Sequence, residues 1–315
     1  MSKMSILRKR KKPKLRFRNM SRRVTNREFN YLKKLCLECL RENEDIEKQL
    51  DSYYQHIQIF FFYESTEQNI VESIRAFLNY STLNVPSHPR PATTVSIKGF
   101  GCIVFFLKHL KEFTAKRNDV PDIEAYHKNG VFEELCHLVE QKGDCALHPE
   151  SYWILWNCYR QANNLLIGNE IIVRLDTDRN HYEVYLMMIN ACPNQWVDRY
   201  WKYFMNEAPD YEKMKLSVPI EIVHARLLTD TLRSINVLHV AKKVKKEKLS
   251  LKQKELLKNL IDTGKRTVDR NKKLINKELG SNALLLINSL DENIFKTPDA
   301  FFPVILDLWE TLNLV

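Results

Sequence analysis

Apolar residues recur three and four positions apart along most of the chain from Thr25 onward, which is the spacing of one helix face. The segment TNREFNYLKKLCLECL (25–40) opens with Thr25 and has Glu28 three residues later, which is the signature of a helix-capping box. The segments 46–63 and 65–80 continue the helical pattern. We therefore predict an N-terminal helical part over 25–83.

Three prolines in NVPSHPRPATT (84–94) interrupt this pattern and predict a linker. Beyond the linker, apolar segments of helical length occur in pairs. The predicted helices are 95–113 with 129–141, 149–163 with 165–175, 180–192 with 194–208, and 218–234 with 235–246. Tyr152 and Tyr185 are separated by one such unit, and Pro149 and Pro219 by two. A helical hairpin recurring about every 33–35 residues is typical of stacked two-helix repeats.

The predicted fold is therefore all-α: a short α-solenoid of antiparallel helical hairpins with a disordered basic N-terminal arm. Only 7 glycines occur in 315 residues. Phosphate-binding loops and tight hairpin turns both draw on glycine, so this count argues against a nucleotide-binding α/β enzyme and against an all-β fold. The predicted parts are an arm over 1–24, the helical part over 25–83, the linker over 84–94 and the repeat array over 95–315.

The segment PESYWILWNCYRQANN (149–164) resembles the leading helix of pentatricopeptide repeats, and WNCYRQAN and WKYFMNE resemble half-a-TPR repeats. This resemblance implies a helical-hairpin array acting in RNA processing, RNA stability or translation. Trp153 and Leu186 stand where pentatricopeptide repeats place a small polar residue that reads a base, so no base-reading residues are carried over. The C-terminal LDENIFKTPDAFFPVILDLW (290–309) resembles the terminal helix pair of helical scaffold subunits of the meiotic DNA-break machinery, which implies a nuclear, non-catalytic role on DNA.

The net charge of +10 is unevenly distributed. Residues 1–27 contain twelve Lys and Arg and no acid, and residues 242–278 contain 14 Lys and Arg against 5 acids. The intervening 28–241 has 22 basic against 29 acidic residues. The segment 242–278 also has a helical apolar pattern, so it is predicted as a basic helical segment that contacts phosphates.

The arm has three interpretations that the sequence leaves open. KRKKPK (9–14) resembles a short basic nuclear-import signal, whereas the acid-free, arginine-rich composition also suits a mitochondrial presequence. A flexible basic arm also adheres to phosphate backbones through counterion release. The predicted nucleic-acid-binding residues are Arg8, Lys9, Arg10, Lys11, Lys12, Lys14, Arg16, Arg18, Arg22, Arg23, Lys242, Lys243, Lys245, Lys246, Lys265 and Arg266.

No catalytic motif stands out in the sequence. Cys36 and Cys39 form a Cys-x-x-Cys, and with Cys145 and His148 they match the number of ligands in a zinc site. The first pair lies on an apolar helix face, however, so no metal, cofactor or small-molecule substrate is predicted. Seven scattered cysteines indicate reduced thiols in an intracellular protein, and no apolar run reaches the length of a membrane span.

The sequence therefore predicts a non-catalytic helical-repeat protein that associates with RNA in RNA processing or translation through basic surfaces. The alternatives are a nuclear protein–protein scaffold on chromatin, in meiotic recombination, and a mitochondrial gene-expression factor. Protein partners are expected under each of them. The nucleus is the preferred compartment and the mitochondrial matrix the alternative.

Overall fold

The structure, a computed structural model, describes residues 14–65, 69–78, 91–115, 123–143, 181–201, 203–204, 210–290, 292–296 and 298–311. The chain divides into two compact units, an N-terminal unit over 1–147 and a C-terminal unit over 148–315. No helix in the described ranges has both the length and the apolar character needed to cross a bilayer.

A four-stranded mixed sheet with the order β1-β2-β4-β3 forms the centre of the N-terminal unit. Strands β1, β2 and β4 run parallel, and β3 pairs antiparallel with β4. The strands are β1 (Lys14–Asn19), β2 (His56–Phe62), β3 (Ala92–Ile97) and β4 (Phe100–Phe106).

The two inner strands are buried on both faces, which explains their nearly continuous apolar sequences. The described helices of this unit are α1 (Asn26–Glu42), α2 (Glu44–Tyr53), α3 (Asn69–Leu78), α4 (Leu107–Ala115) and α5 (Ile123–Gln141). On one face, Phe29 of α1 meets Phe61 edge-on with ring centroids 5.3 Å apart. On the other face, Ile70 and Ile74 of α3 pack in one cluster with Phe60. Apolar side chains of the sheet are thus covered from both sides.

The C-terminal unit is helical throughout its described residues. Its helices are α6 (181–191), α7 (Pro193–Tyr200), the single turn α8 (Tyr211–Met214), α9 (Ile220–Lys243), α10 (Leu251–Ser289) and α11 (Pro298–Thr311). Helices α9 and α10 pack along each other. Gly264 permits their close approach, since a Cβ atom there would lie 2.6 Å from side-chain carbons of Leu238 and Phe204. Gly280 has a φ of 87° and breaks α10 into two helical segments.

The sheet shows that the predicted all-α solenoid is wrong. The segment 46–63, predicted as one helix, contains the end of α2 and all of β2. The segment 95–113 contains the end of β3, a turn, β4 and the start of α4. Short continuous apolar runs fit a buried strand as well as a helix, and here the parallel pairing of β2 with β4 decides between them.

The predicted arm and linker need correction as well. Residues 14–19 of the predicted arm 1–24 form β1 and pair with β2, and Leu15 and Phe17 alternate there with charged residues, as in a half-buried strand. Within the predicted linker 84–94, residues 92–94 belong to β3, and 84–90 lie outside the described residues.

The predicted array of helical hairpins also differs from the described part of the structure. The pair 218–234 and 235–246 is one helix, α9, that runs unbroken from Ile220 to Lys243. The predicted array 95–315 is also divided by the boundary between the two units. The predicted helices 149–163 and 165–175 lie outside the described residues.

Candidate nucleic-acid interface

The turn between α9 and α10 carries the highest density of positive charge in the C-terminal unit. Residues 242–254 contain seven lysines and one glutamate. All seven lysines are exposed. We call this set the basic corner: Lys242, Lys243, Lys245, Lys246, Lys248, Lys252 and Lys254.

Two apolar residues fix the path of the chain through the basic corner. Val244 ends α9 in an extended conformation and is 5% exposed, and Leu249 follows a 3₁₀ turn and is also 5% exposed. Ser250 then caps α10 by accepting a hydrogen bond from the Gln253 N–H at 3.3 Å. Because the apolar side chains point inward at 244 and 249, the lysines between them point to solvent.

Helix α7 holds the basic corner from the side. The Asn194 amide donates to the carbonyl oxygen of Lys248 at 3.2 Å, and its own oxygen accepts from the Ser250 N–H at 3.3 Å. One turn further along α7, both carboxylate oxygens of Asp198 accept from the Gln253 amide, at 3.2 and 3.1 Å. The basic corner is therefore a hydrogen-bonded turn with fixed backbone geometry.

The charge of the basic corner is not neutralised within the described part of the chain. Apart from Lys243, none of its lysines forms an ion pair with a described carboxylate. Lys277, near the other end of the same basic segment, behaves differently: its Nζ lies 3.2 Å from Glu212 and 3.4 Å from Glu278. Net positive charge is also higher in the basic corner, because residues 255–278 contain seven basic and four acidic residues.

The helix termini reinforce this concentration. Lys242 and Lys243 occupy the last turn of α9, where cations are favourable. The first turn of α10 contains no acidic residue and includes Lys252 and Lys254, although a helix N-terminus carries a partial positive charge of its own. Like charges at a helix N-terminus cost stability, and an anion bound there relieves that cost.

The predicted residues Lys265 and Arg266 are exposed on α10 but belong to a different stretch of the helix. Lys265 lies about 17 Å along the axis from Lys254, given a rise of about 1.5 Å per residue. The Arg266 guanidinium donates to Thr263 Oγ1 at 3.1 Å. Two acidic residues, Asp262 and Asp269, interrupt the positive surface in this stretch.

The predicted N-terminal residues belong to the other unit. Arg8, Lys9, Arg10, Lys11 and Lys12 lie outside the described residues, and Lys14, Arg16 and Arg18 belong to β1. Arg22 and Arg23 follow that strand and are exposed.

Arg23 is engaged within its own unit. Its guanidinium bonds Glu64 at 2.6 Å and lies over the Tyr63 ring, 5.4 Å from the centroid. Hydrogen bonds from Lys108 and Arg23 lower the pKa of the Glu64 carboxyl. Arg23 is therefore held by two contacts within the N-terminal unit, and its side chain remains exposed.

Sequence reasoning missed three lysines of the basic corner, Lys248, Lys252 and Lys254. The available signal was Ser250, a favoured N-cap residue, which places these lysines around a helix start. We call the two hydrogen bonds from Asn194 to Lys248 and Ser250 the Asn194 clamp. The sequence contains no signal for this clamp, because it depends on tertiary packing.

The Cys-x-x-Cys pair lies in the core of the N-terminal unit. Cys36 and Cys39 are 0% and 1% exposed on α1, and the Cys39 thiol lies 3.5 Å from the Lys128 carbonyl oxygen. Burial raises the pKa of Cys36, and zinc ligation and redox chemistry both require a thiolate. Cys145 and His148, the other half of the considered zinc set, lie outside the described residues.

Comparisons of the chain with protein-family models, with curated proteins and with solved structures give no match. The class of molecule is therefore defined by the geometry alone: a mixed α/β unit and a helical unit that presents a lysine-rich helix junction.

The Asn194 clamp predicts a change in binding without a change in charge. Asn194→Ala removes two hydrogen bonds at the basic corner, and we expect it to lower the free energy of unfolding by about 1–2 kcal/mol. Hydrogen exchange over 246–253 should rise. RNA affinity should fall several-fold with an unchanged salt dependence, because every lysine remains. Asn259→Ala on the exposed side of α10 is the control, and equal effects of the two substitutions would contradict the clamp.

Proposed function

We propose that the protein is a non-catalytic nucleic-acid-binding protein that holds RNA by phosphate contacts at the basic corner. The observation that carries the proposal is the placement at the start of α10 of six exposed lysines, those of the basic corner other than Lys243, that form no ion pair with a described carboxylate. Residues placed against a local rule of helix stability point to a functional site. A polyanion is the ligand that such a surface favours.

The chemistry of the basic corner suits backbone recognition. Lysine ammonium groups act as point charges and lack the planar fork with which arginine reads base edges or carboxylates. All cations of the basic corner are lysines. Phosphate contacts fix the register of a nucleic acid but carry no sequence information directly. The proposed binding at the basic corner is therefore independent of base sequence, which suits a general role in RNA processing or translation.

Salt dependence tests the proposal. Binding of a fluorescently labelled single-stranded RNA of about 20 nucleotides, followed by anisotropy, should weaken linearly on a log–log plot against salt. The variant with Lys242, Lys245 and Lys246 all changed to Gln should lose about tenfold or more in affinity, and its slope should fall by about 2, or about 0.7 per lost contact. The measurement uses the full-length protein.

A charge-matched control separates local from general electrostatics. Lys34, Lys48 and Lys213 are exposed elsewhere, and changing all three to Gln removes the same net charge. This control should bind RNA almost as the unsubstituted protein does. If the two variants bind alike, or if RNA binding vanishes on removal of residues 1–13, which precede β1, and survives the triple change, the basic corner is not the binding surface. The second result would favour the chromatin-scaffold alternative.

A further inference from the structure

A second site candidate lies in the N-terminal unit. A cleft of about 490 Å³ opens on the sheet face that α3 covers, between α3 and the edge strand β1. Its walls come from all three parallel strands and from α3. The residues that matter here are Arg16, Arg18, His56, Gln58, Phe77 and Phe100.

One side of the cleft is cationic. Arg16 and Arg18 are two positions apart on β1, so their side chains lie on the same face of the sheet. Both are exposed, and neither forms an ion pair with any carboxylate in the described ranges. A guanidinium offers a planar fork of donors that matches two oxygens of one phosphate.

The opposite side is aromatic. His56 and Phe100 are direct neighbours across the β2–β4 pair, and their rings stack with centroids 5.3 Å apart at an interplanar angle of 27°. Phe77 of α3 meets Phe100 edge-on at 5.8 Å. All three rings are partly exposed. Partly exposed aromatic rings beside a cationic groove form a stacking platform for nucleobases.

The cleft also contains a buried amide. Gln58 is 1% exposed, and its Nε2 donates to the Arg16 carbonyl oxygen at 3.2 Å. Its second N–H and its carbonyl oxygen make no hydrogen bond within the described residues. Gln58 therefore forms the floor of the cleft, where its hydrogen bond joins β2 to the backbone of Arg16 on β1.

We propose that this cleft binds one nucleotide unit, with the base against the His56–Phe100 pair and the phosphate held by Arg16 and Arg18. A volume of about 490 Å³ falls within the usual size range of ligand clefts. The two possible sources of this ligand are a single-stranded polynucleotide and a free mononucleotide. The site lies in a different unit from the basic corner and does not rest on the function proposed for that corner.

A pair of charge-matched variants tests the cleft. The probe is fluorescently labelled oligouridylate of about 12 nucleotides, bound to the full-length protein. Changing Arg16 and Arg18 to Gln should weaken binding on the order of tenfold. The control variant has Arg27 and Arg41 changed to Gln. Both arginines are exposed on α1 and do not line the cleft. The control should bind like the unsubstituted protein.

Base stacking on the His56–Phe100 pair is tested separately, by comparing the binding of single-stranded and duplex RNA. His56→Ala removes one ring of the platform at little cost in charge and should weaken single-strand binding more than binding of a duplex of equal length, because duplex bases are not free to stack. Photo-crosslinking with 4-thiouridine in the oligonucleotide should attach it to peptides that contain His56 or Phe100. Crosslinks confined to 242–254, together with equal affinity of the two arginine variants, would overturn the cleft assignment and leave the basic corner untouched.

Uridine monophosphate distinguishes the sources. If the oligonucleotide depends on Arg16 and Arg18 and the mononucleotide does not compete, the ligand is a polynucleotide. If the mononucleotide binds with comparable affinity and with the same dependence, the ligand is a free nucleotide. If neither depends on these arginines, the proposal fails.

Discussion

Replacing Trp196 with alanine is expected to lower the free energy of unfolding of the C-terminal unit by about 3–5 kcal/mol. Trp196 is 0% exposed, and its ring lies 5.1 Å from that of Tyr200 and 6.1 Å from that of Tyr185. The substitution removes the largest fully buried side chain of α7 and leaves a cavity among aromatic rings that cannot fully close. Urea denaturation gives the loss in stability, and hydrogen exchange resolved by peptide locates it in 181–201 and in α10.

A second substitution separates packing from hydrogen bonding. The buried Trp196 Nε1 has no hydrogen-bond partner among the described residues. Trp196→Phe keeps an aromatic ring and removes this buried donor, so we expect it to cost much less than Trp196→Ala. The packing argument fails if the two variants are equally destabilised. RNA binding should also weaken in Trp196→Ala, because α7 carries the Asn194 clamp.

Replacing Gly143 with alanine is expected to destabilise the N-terminal unit by about 3 kcal/mol or more. Gly143 has a φ of 85°, which costs an L-residue about 1–2 kcal/mol. A Cβ atom there would lie 2.7 Å from the backbone oxygen of Tyr53, so the backbone itself must shift. That shift also strains a buried junction, since the Gly143 N–H donates to the Tyr54 hydroxyl at 3.1 Å and Tyr54 donates to the Leu138 carbonyl at 2.6 Å.

Gly99 provides a closely matched control in the same unit. Its φ of 79° carries a similar backbone cost, but a Cβ atom at Gly99 would lie 3.7 Å from the same Tyr53 oxygen. Gly99→Ala should therefore cost only the backbone term of about 1–2 kcal/mol. Thermal or urea unfolding of both variants measures the difference, and equal destabilisation would show that the contact with Tyr53 is unimportant.

Local signals in the sequence predicted the start of α1 and several helices. The capping box of Thr25 and Glu28 is confirmed, with the Thr25 N–H donating to Glu28 at 2.8 Å and the Glu28 N–H donating to Thr25 Oγ1 at 3.3 Å. The predicted helix 129–141 lies within α5, and 180–192 corresponds closely to α6. Helical spacing identified these two segments correctly, whereas in 46–63 and 95–113 the same spacing included a short apolar run that forms a strand.

The sheet was not predictable from the same signals. IQIFFF and CIVFF are too short and too uniformly apolar to show a period, and only their pairing partners identify them as strands. The scarcity of glycine misled the fold prediction because one glycine in a left-handed conformation, Gly99, suffices at the turn between β3 and β4, where Lys98 also adopts a positive φ. In β1, Leu15 and Phe17 did alternate with charged residues, but the charge density favoured an arm.

For the candidate sites too, the sequence predicted features that depend on local composition and missed those that depend on tertiary packing. Charge clustering predicted four lysines of the basic corner from the sequence, because net charge is a local property. The clamp by Asn194 and the meeting of Arg16, Arg18, His56 and Phe100 in one cleft depend on tertiary packing and on a sheet that the sequence did not reveal.

The alternation of buried and exposed positions through 242–249 has a consequence for evolution. Folding of this turn depends on Val244 and Leu249, whereas the proposed binding depends on the lysines between them. Natural selection on stability and on affinity therefore acts on separate codons. In diverging descendants of this gene, positive charge should persist at the exposed positions, mostly as lysine, while 244 and 249 remain aliphatic.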